Sequence, residues 1–222
     1  MTLQIGMLLF PKITQLDLTG PFEVLARVPE ARVSLLWKSI DLVTSGTGLT
    51  LLPTMTLSDS PQFDVLVVPG GFGVVPLLDD REVLGFLQQQ AKAARYLTAV
   101  CTGSLLLGAA GLLEGYRATT HWAYHELLGM CGAQPVQERV VVDRNRITGG
   151  GVTAGIDFAL RLVAELCDDD TARAIQLGLE YDPAPPFRAG SPALAGEELT
   201  ARVRARFEPS IKQYEERLNR RK

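Results

Sequence analysis

The chain has 222 residues, a length typical of one large domain or two small ones. Hydrophobic residues make up 46% of it and charged residues 21%, which is the composition of a soluble protein with a buried core. The net charge of -3 argues against the basic surface of a nucleic-acid-binding protein, and no apolar run is long enough for a membrane-spanning helix. We therefore expect neither nucleic acid nor a membrane as a partner.

The cysteines are few and widely spaced. The chain has three cysteines, an odd number, and no two of them form a CxxC pair: they are Cys101, Cys131 and Cys167. Neither a disulfide framework nor a zinc ribbon is therefore indicated. The first residues carry no basic segment ahead of an apolar one, so we expect no signal peptide. These features predict a protein of the reducing cytoplasm.

Strand and helix patterns alternate along the chain. The first strand is predicted over 3–10 and stops at Pro11, and a helix follows with Thr19 as its N-cap and Pro21 in its first turn. Further strands or strand pairs are predicted over 33–37, 46–56, 63–68, 95–100, 118–120, 139–142 and 147–148. Further helices are predicted over 81–94, 104–113, 153–166 and 169–179, before an irregular, proline-rich segment over 181–192.

This alternation predicts an α/β fold with a mostly parallel sheet covered by helices on both faces. No repeat, linker or low-complexity segment interrupts the pattern, so we predict a single domain over residues 1–222. Its last part, about 194–222, interleaves arginines with glutamates, which is typical of a solvated amphipathic helical tail.

Chemically useful residues follow several of the predicted strands. Ligands of such sheets bind at the carboxyl ends of the strands, so these residues are expected to meet at one edge. They are Asp17, Gly70, Gly71, Cys101 and the glycines of 149–151.

Cys101 stands between a predicted strand and a predicted helix, in the run Val100-Cys101-Thr102-Gly103. A side chain at such an elbow projects above the sheet, beside the free N–H groups and the positive dipole end of the helix. Both predict a lowered thiol pKa and a nucleophilic cysteine, and Gly103 lets the turn fit closely, as in the serine elbow of hydrolases. The alternative is a buried structural cysteine. Cys131 and Cys167 lack this context.

Asp17 and the Gly70-Gly71 pair are the next candidates. Asp17 lies between two leucines and is either a helix cap or a functional carboxyl. Because Thr19 is predicted to cap the helix, we favour a functional carboxyl whose pKa is raised beside a thiolate and which shuttles a proton. Gly70 and Gly71 either form a tight turn or present backbone N–H groups to developing charge.

His121 and His125 have the i, i+4 spacing of a helix and could be imagined with Cys101 as metal ligands. No third ligand is evident, so we expect no metal and read His121 as a polar neighbour of Cys101 or a satisfied interior histidine. The triple glycine over 149–151 lacks the lysine and the spacing of a phosphate loop, so it is read as a closely packed start of the next helix.

Four runs together resemble the PfpI-type, class I glutamine-amidotransferase-like superfamily. They are Leu16-Asp17-Leu18-Thr19-Gly20-Pro21, Val68-Pro69-Gly70-Gly71, Val100-Cys101-Thr102-Gly103 and Ala118-Thr119-Thr120-His121-Trp122. The stretches 149–158 and 179–192 extend the resemblance along the chain, to the branch that hydrates isocyanides to N-substituted formamides. The resemblance implies a flavodoxin-like α/β sandwich, a homodimer and no cofactor.

The same resemblance implies a role for individual residues. Cys101 is the expected nucleophile, Asp17 the acid and Thr102 the neighbouring hydroxyl. Gly71 would present its amide to the pocket, and the backbone at Val152, where that branch often has isoleucine, would lie near the thiolate. The remaining residues expected around the substrate or thiolate are Gly70, Gly150 and His121.

Other branches of the superfamily fit less well. Protease-like members place a histidine where Thr102 stands, amidotransferases use a His-x-Glu pair that is absent at His121, and glyoxalase and redox-sensing members have glutamate in place of Asp17. Transcription regulators share the elbow but continue into a helix-turn-helix domain, which we do not expect here. A glyoxalase-like enzyme of α-oxoaldehydes, a cysteine redox sensor and a ligand-binding regulatory domain remain as alternatives.

Overall fold

A computed structural model describes residues 2–220, so Met1 and the last two residues of the predicted tail lie outside it. The strands are β1 (Leu3–Leu8), β2 (Ala31–Trp37), β3 (Val43–Thr44), β4 (Thr50–Leu51), β5 (Met55–Thr56), β6 (Val65–Val68), β7 (Tyr96–Val100), β8 (Arg117–Ala118), β9 (Gln134–Pro135), β10 (Val140–Asp143) and β11 (Arg146–Gly149). The helices are α1 (Gln15–Leu25), α2 (Val74–Leu77), α3 (Arg81–Ala91), α4 (Gly103–Ala109), α5 (Ala154–Leu166), α6 (Asp169–Gly178), α7 (Pro192–Ala195), α8 (Glu197–Arg204) and α9 (Glu208–Asn219). A 3-10 helix runs over Trp122–Cys131.

The central sheet has seven strands in the order β10-β11-β7-β6-β1-β2-β5. Neighbouring strands are parallel except for β10 and β11, which are antiparallel. Every residue of β6 is buried, as expected for a parallel strand that is covered on both faces and therefore consists of apolar residues throughout. The predicted α/β class with a mostly parallel sheet is confirmed.

The helices form two groups that flank this sheet. Helix α5 packs against both α1 and α6 and lies along β11. Helix α4 lies along β7 and β6 and packs against α2, α3 and the 3-10 helix, which in turn contacts α9. The arrangement is a three-layer α/β sandwich, and no helix within residues 2–220 is long and apolar enough to cross a membrane.

The predicted start of the first helix is wrong. Helix α1 begins at Gln15 after Thr14, so its N-cap residue is a different threonine, although the Thr14 side chain makes no capping hydrogen bond. Thr19 lies inside the helix and its hydroxyl donates to Gln15 Oε1 at 2.7 Å. Pro21 also lies inside the helix, where it cannot donate to the carbonyl of Asp17. Its ring instead packs closely against Gly155 of α5.

Two further predictions need correction. The predicted strand over 118–120 is only the short β8, which pairs with β9 outside the central sheet. His121 and His125 do not share an α-helical face, because residues after His121 form a 3-10 helix with fewer residues per turn. The segment 46–56, predicted as a strand or strand pair, contains β4, which pairs antiparallel with the preceding β3, and β5, which joins the central sheet beside β2.

Candidate active site

Cys101 forms the turn from β7 into α4 and has a positive φ of 57°, unusual for a residue with a side chain. Its backbone is held from several sides. The Cys101 N–H donates to the carbonyls of Gly149 (3.0 Å) and Gly150 (3.1 Å) at the end of β11. The Cys101 carbonyl accepts the hydroxyls of Ser104 (3.0 Å) and Thr120 (2.7 Å). These four contacts fix a left-handed conformation that an isolated cysteine would avoid.

The turn at Cys101 is tight because glycines allow the β6 and β7 ends to approach each other. A Cβ atom on Gly103 would overlap the carbonyl oxygen of Val68, so no larger residue fits at the start of α4. A Cβ atom on Gly70 would come within 2.6 Å of the Thr102 nitrogen and 2.8 Å of the Cys101 Cβ. The predicted close fit at Gly103 is confirmed, and it brings the loop after β6 against the thiol.

Asp17 reaches the same place from the first turn of α1 and is fully buried. Its Oδ2 accepts the N–H of Gly70 at 3.1 Å, whereas no donor among the described residues meets Oδ1 with hydrogen-bond geometry. The carboxyl lies within hydrogen-bonding reach of the Cys101 thiol. The structure therefore pairs an incompletely satisfied carboxyl with a thiol, as predicted from their positions at the same edge of the sheet.

Burial dominates the ionisation of both groups. It raises the pKa of Asp17 from 3.8 to about 7, although hydrogen bonds from Cys101 and from the Gly70 N–H act in the opposite direction. Burial also raises the pKa of the Cys101 thiol well above its ordinary value, and the negative charge of Asp17 raises it further. The predicted lowering of this thiol pKa is wrong, because the N–H groups of Thr102 and Val152 only partly offset burial. Such close acids titrate as a pair.

Val152 presents its backbone N–H to the Cys101 sulfur. It has a positive φ of 25°, which is strained for a β-branched residue. The preceding loop is anchored by Gly150, whose N–H donates to the Arg139 carbonyl at 2.9 Å. The two predicted residues after β11, Gly150 and Val152, therefore both contact Cys101 through their backbones.

Thr102 and Gly71 form a separate contact beside the thiol. The Gly71 N–H donates to Thr102 Oγ1 at 3.0 Å, and the Thr102 hydroxyl is placed 3.4 Å from the Gly71 carbonyl. Gly71 has a φ of 131°, which favours glycine, and Thr102 is buried. The Gly71 N–H that was predicted to face the pocket is thus used by Thr102 in this structure.

His121 belongs to an aromatic cluster at one side of the site. Its ring packs against Gly151 and lies 5.1 Å from the ring of Phe207. Its Nδ1 accepts the N–H of Ala123, and burial lowers the pKa of His121 to about 4, so the imidazole is neutral at neutral pH. The aromatic cluster consists of His121, Trp122, Tyr124, Phe207 and Tyr214.

Sequence reasoning did not identify Ser104, Thr120 or Tyr214 as neighbours of Cys101. Ser104 and Thr120 hold the Cys101 carbonyl through their hydroxyls, and although Thr120 lies in one of the four runs of the resemblance, no role was predicted for either residue. Tyr214 comes from the tail, where buried Ile211, Tyr214 and Leu218 line one face of α9. That helical spacing is a usable signal of a buried face, but it does not tell which part of the core the face covers.

The fold and the buried thiol–carboxyl pair at the strand ends define an α/β sandwich protein with a candidate site at the turn after β7. The profile of the DJ-1/PfpI family matches residues 4–165, and the chain belongs to this family. The resemblance drawn from the four sequence runs is thereby confirmed.

Individual relatives extend beyond that region. The chain is 59% identical over 212 residues to isonitrile hydratase of Pseudomonas putida, an alignment that covers 96% of this chain and 93% of that protein. The crystal structure of a THiJ/PfpI family protein from Pseudomonas syringae is 44% identical and superimposes with a TM-score of 0.96, covering 98% of this chain and 91% of that one. The chain is also 37% identical over 188 residues to the HTH-type transcriptional regulator GbdR of Pseudomonas aeruginosa, covering 80% of this chain but 50% of the regulator.

Proposed function

We propose that this protein is an isocyanide hydratase, a hydro-lyase that adds water to the terminal carbon of an isocyanide and releases an N-substituted formamide. The observation that carries the proposal is the 59% identity with isonitrile hydratase of Pseudomonas putida across nearly the full length of both chains, isonitrile being another word for isocyanide. The buried pair of Asp17 and Cys101 supplies a nucleophile and a proton carrier for this reaction.

Covalent catalysis begins at the Cys101 elbow. The pair shares one proton, and the reactive arrangement places it on Asp17 and the negative charge on the Cys101 sulfur. The sulfur bonds to the terminal carbon of the isocyanide while the Asp17 proton moves to the same carbon. The product is a neutral thioimidate, in which carbon is bonded to sulfur, hydrogen and nitrogen, and an Asp17 carboxylate.

Hydrolysis of the thioimidate returns the enzyme to its starting state. The Asp17 carboxylate takes a proton from water as the water oxygen bonds to the thioimidate carbon, and it passes that proton to the nitrogen. Asp17 then accepts the proton of the new hydroxyl as the carbon–oxygen double bond forms and the carbon–sulfur bond breaks. The formamide leaves, with Asp17 protonated and Cys101 as the thiolate.

Backbone donors stabilise the charge that this scheme places on sulfur. The N–H groups of Thr102 and Val152 act on the Cys101 sulfur, and hydrogen bonds to an anion are stronger than those to a neutral group. Gly70 holds the Asp17 carboxyl through its N–H. Thr102 and Gly71 border the same space, and Gly150 with His121 complete the set expected around the substrate or thiolate.

The alternatives have less support. A redox sensor works best with an exposed, acidic thiol, whereas Cys101 is 5% exposed and burial raises its pKa. A glyoxalase-like activity on α-oxoaldehydes shares the nucleophile and would yield a hydroxy acid. A regulatory role would appear as ligand binding without turnover, and the partial match to a transcriptional regulator makes this class worth testing.

A homodimer and a cytoplasmic location are parts of the same proposal. The dimer is implied by the family resemblance, and light scattering after gel filtration tests it directly. A reducing cytoplasm keeps Cys101 as a thiol, which the proposed chemistry requires.

The decisive experiment follows formamide production from an aromatic isocyanide by chromatography, with the native protein and Cys101→Ser side by side. We expect rapid turnover by the native protein and none by the variant. A folded native protein without turnover would contradict the proposal and would direct attention to α-oxoaldehydes as substrates and to reversible oxidation of Cys101.

A further inference from the structure

Helix α9 of the tail covers the Cys101 site, although it lies outside the region that matches the family profile. Its buried face contributes Ile211, Tyr214 and Leu218, and Tyr214 is fully buried. An ion pair between Arg217 and Asp79 fastens the helix to the segment between α2 and α3. The tail is therefore an integral part of the structure around the thiol.

The hydroxyl of Tyr214 is exceptional because it is buried and has no hydrogen-bond partner of ordinary geometry among the described residues. The ring itself is well packed, since it meets Tyr124 edge to face with 5.3 Å between the ring centres. A phenylalanine would make the same ring contact without burying an unsatisfied hydroxyl. Packing alone therefore does not explain a tyrosine at this position.

The surroundings of this hydroxyl point to the active site. Burial raises the pKa of Tyr214 well above its ordinary value, the side chain of Thr102 lies within hydrogen-bonding reach and lowers it, and the negative charge of Cys101 raises it further. The phenol therefore keeps its proton at neutral pH. It is a donor beside Thr102.

The hydroxyl oxygen of Thr102 can accept one more hydrogen bond. A hydroxyl has one proton and two acceptor positions, and Thr102 Oγ1 uses one acceptor position for the Gly71 N–H. Its own contact with the Gly71 carbonyl, at 3.4 Å, is long for a hydrogen bond between two oxygens. One acceptor position of Oγ1 is open, and its proton is only weakly engaged.

We propose that Tyr214 is a positioning residue for the reaction proposed above, which donates its hydroxyl proton to Thr102 Oγ1 once Cys101 carries negative charge and so directs the Thr102 proton into the site. With both acceptor positions filled, by Gly71 and by Tyr214, the Thr102 hydroxyl acts only as a donor. It then stabilises negative charge on Cys101 or on the group bonded to it. The inference rests on the proposed function for its catalytic consequence, but not for its effect on the thiol.

The central test is Tyr214→Phe, which removes the hydroxyl and keeps the ring. Since the hydroxyl has no hydrogen bond of ordinary geometry while Cys101 is a neutral thiol, we expect the melting temperature to stay the same or to rise. We expect kcat for an aromatic isocyanide to fall about fivefold or more, the effect of one hydrogen bond. The rate of Cys101 alkylation by iodoacetamide should show its midpoint at higher pH, because the thiolate loses a donor network.

Ser210→Ala is the matched control on the same helix. It removes a buried hydroxyl that accepts from Tyr124 at 3.2 Å, so it should lower the melting temperature and leave kcat and the alkylation profile unchanged. A double-mutant cycle with Thr102→Val tests the route through Thr102. Tyr214→Phe should have almost no further effect on kcat or on alkylation once the Thr102 hydroxyl is gone.

The inference is overturned if Tyr214→Phe keeps native kcat and the native alkylation profile, or if its effects add fully to those of Thr102→Val. It is also overturned if the variant loses melting temperature while the alkylation profile stays native, because that is the result of a purely structural role. A native protein that does not hydrate isocyanides would contradict the proposed function instead. The alkylation profiles and the double-mutant cycle would still decide the role of Tyr214.

Discussion

The carboxyl of Asp17 and the thiol of Cys101 lie within hydrogen-bonding reach of each other in the protein interior, and burial raises the pKa of both. The two groups arrive from different parts of the fold, Asp17 from α1 and Cys101 from the turn after β7. Only one of them can be ionised easily, because a second negative charge in this space would be strongly disfavoured. The pair therefore holds one mobile proton, which the proposed hydration uses in each of its steps.

Replacing Cys101, the proposed nucleophile, should have a far larger effect on turnover than replacing another cysteine. We expect Cys101→Ala to lower isocyanide turnover by at least about a thousandfold, since no covalent intermediate can form. The matched control is Cys167→Ser, a change of an exposed cysteine at the end of α5, which should leave turnover unchanged. Initial rates with equal amounts of folded protein are the measurement, and substantial activity in Cys101→Ala would exclude the covalent scheme.

The ionisation of Asp17 should appear in the pH profile of the reaction. Because the active form of the pair carries only one proton and the pKa of Asp17 is about 7, kcat/KM should fall as the pH drops below about 7, where both Asp17 and Cys101 are protonated. Asp17→Asn should be much slower and should lack this limb. Asp17→Glu should fold but react slowly, because the longer side chain meets the sulfur differently. A profile of the native enzyme that is flat from pH 6 to 9 would contradict the assignment.

Asp17 should also make stability depend on pH. Its pKa in the folded protein, about 7, lies above the ordinary value of 3.8, so the folded state holds the proton more tightly than the unfolded chain. The stabilisation is complete below pH 3.8 and is lost as the pH rises through 7. Asparagine does not ionise, so it contributes no such pH dependence. The free energy of unfolding of Asp17→Asn should therefore increase relative to that of the native protein as the pH rises, by up to about 4 kcal/mol.

Urea denaturation of the two proteins between pH 5 and 9 measures this difference. A difference that does not change with pH would show that Asp17 is ionised in the folded state throughout this range.

Two glycines near the thiol should tolerate substitution very differently. Gly103→Ala places a Cβ against the Val68 carbonyl oxygen, which belongs to a strand in the middle of the sheet and cannot move away, so we expect a loss of about 3 kcal/mol or more. Gly150→Ala is the matched control, since its Cβ would meet ordinary contacts at 3.6 to 3.9 Å. We expect it to retain near-native stability. Melting temperatures decide the comparison, and equal losses would contradict it.

Much of the site could be predicted because its parts are local in sequence. An apolar strand, a cysteine and a glycine-started helix are adjacent, so the turn at Cys101 was evident from residues 95–113. Asp17, Gly70 and Gly150 were placed beside it by a general property of parallel sheets, whose carboxyl ends lie along one edge. The start of α1 was missed because Thr14 and Thr19 are both favoured N-cap residues, and the local sequence does not tell which of them precedes the helix.

The sequence alone determined the α/β class, the order of the main strands and helices, and the candidate site residues, because these depend on periodicity and on residue type. Tertiary structure alone decided the ionisation of those residues. Burial is a property of everything packed around a group, and it reversed the predicted direction of the Cys101 pKa. Tertiary structure also decided that Tyr214 lies beside Thr102. No local pattern tells which part of the core a helix at the far end of the chain will cover.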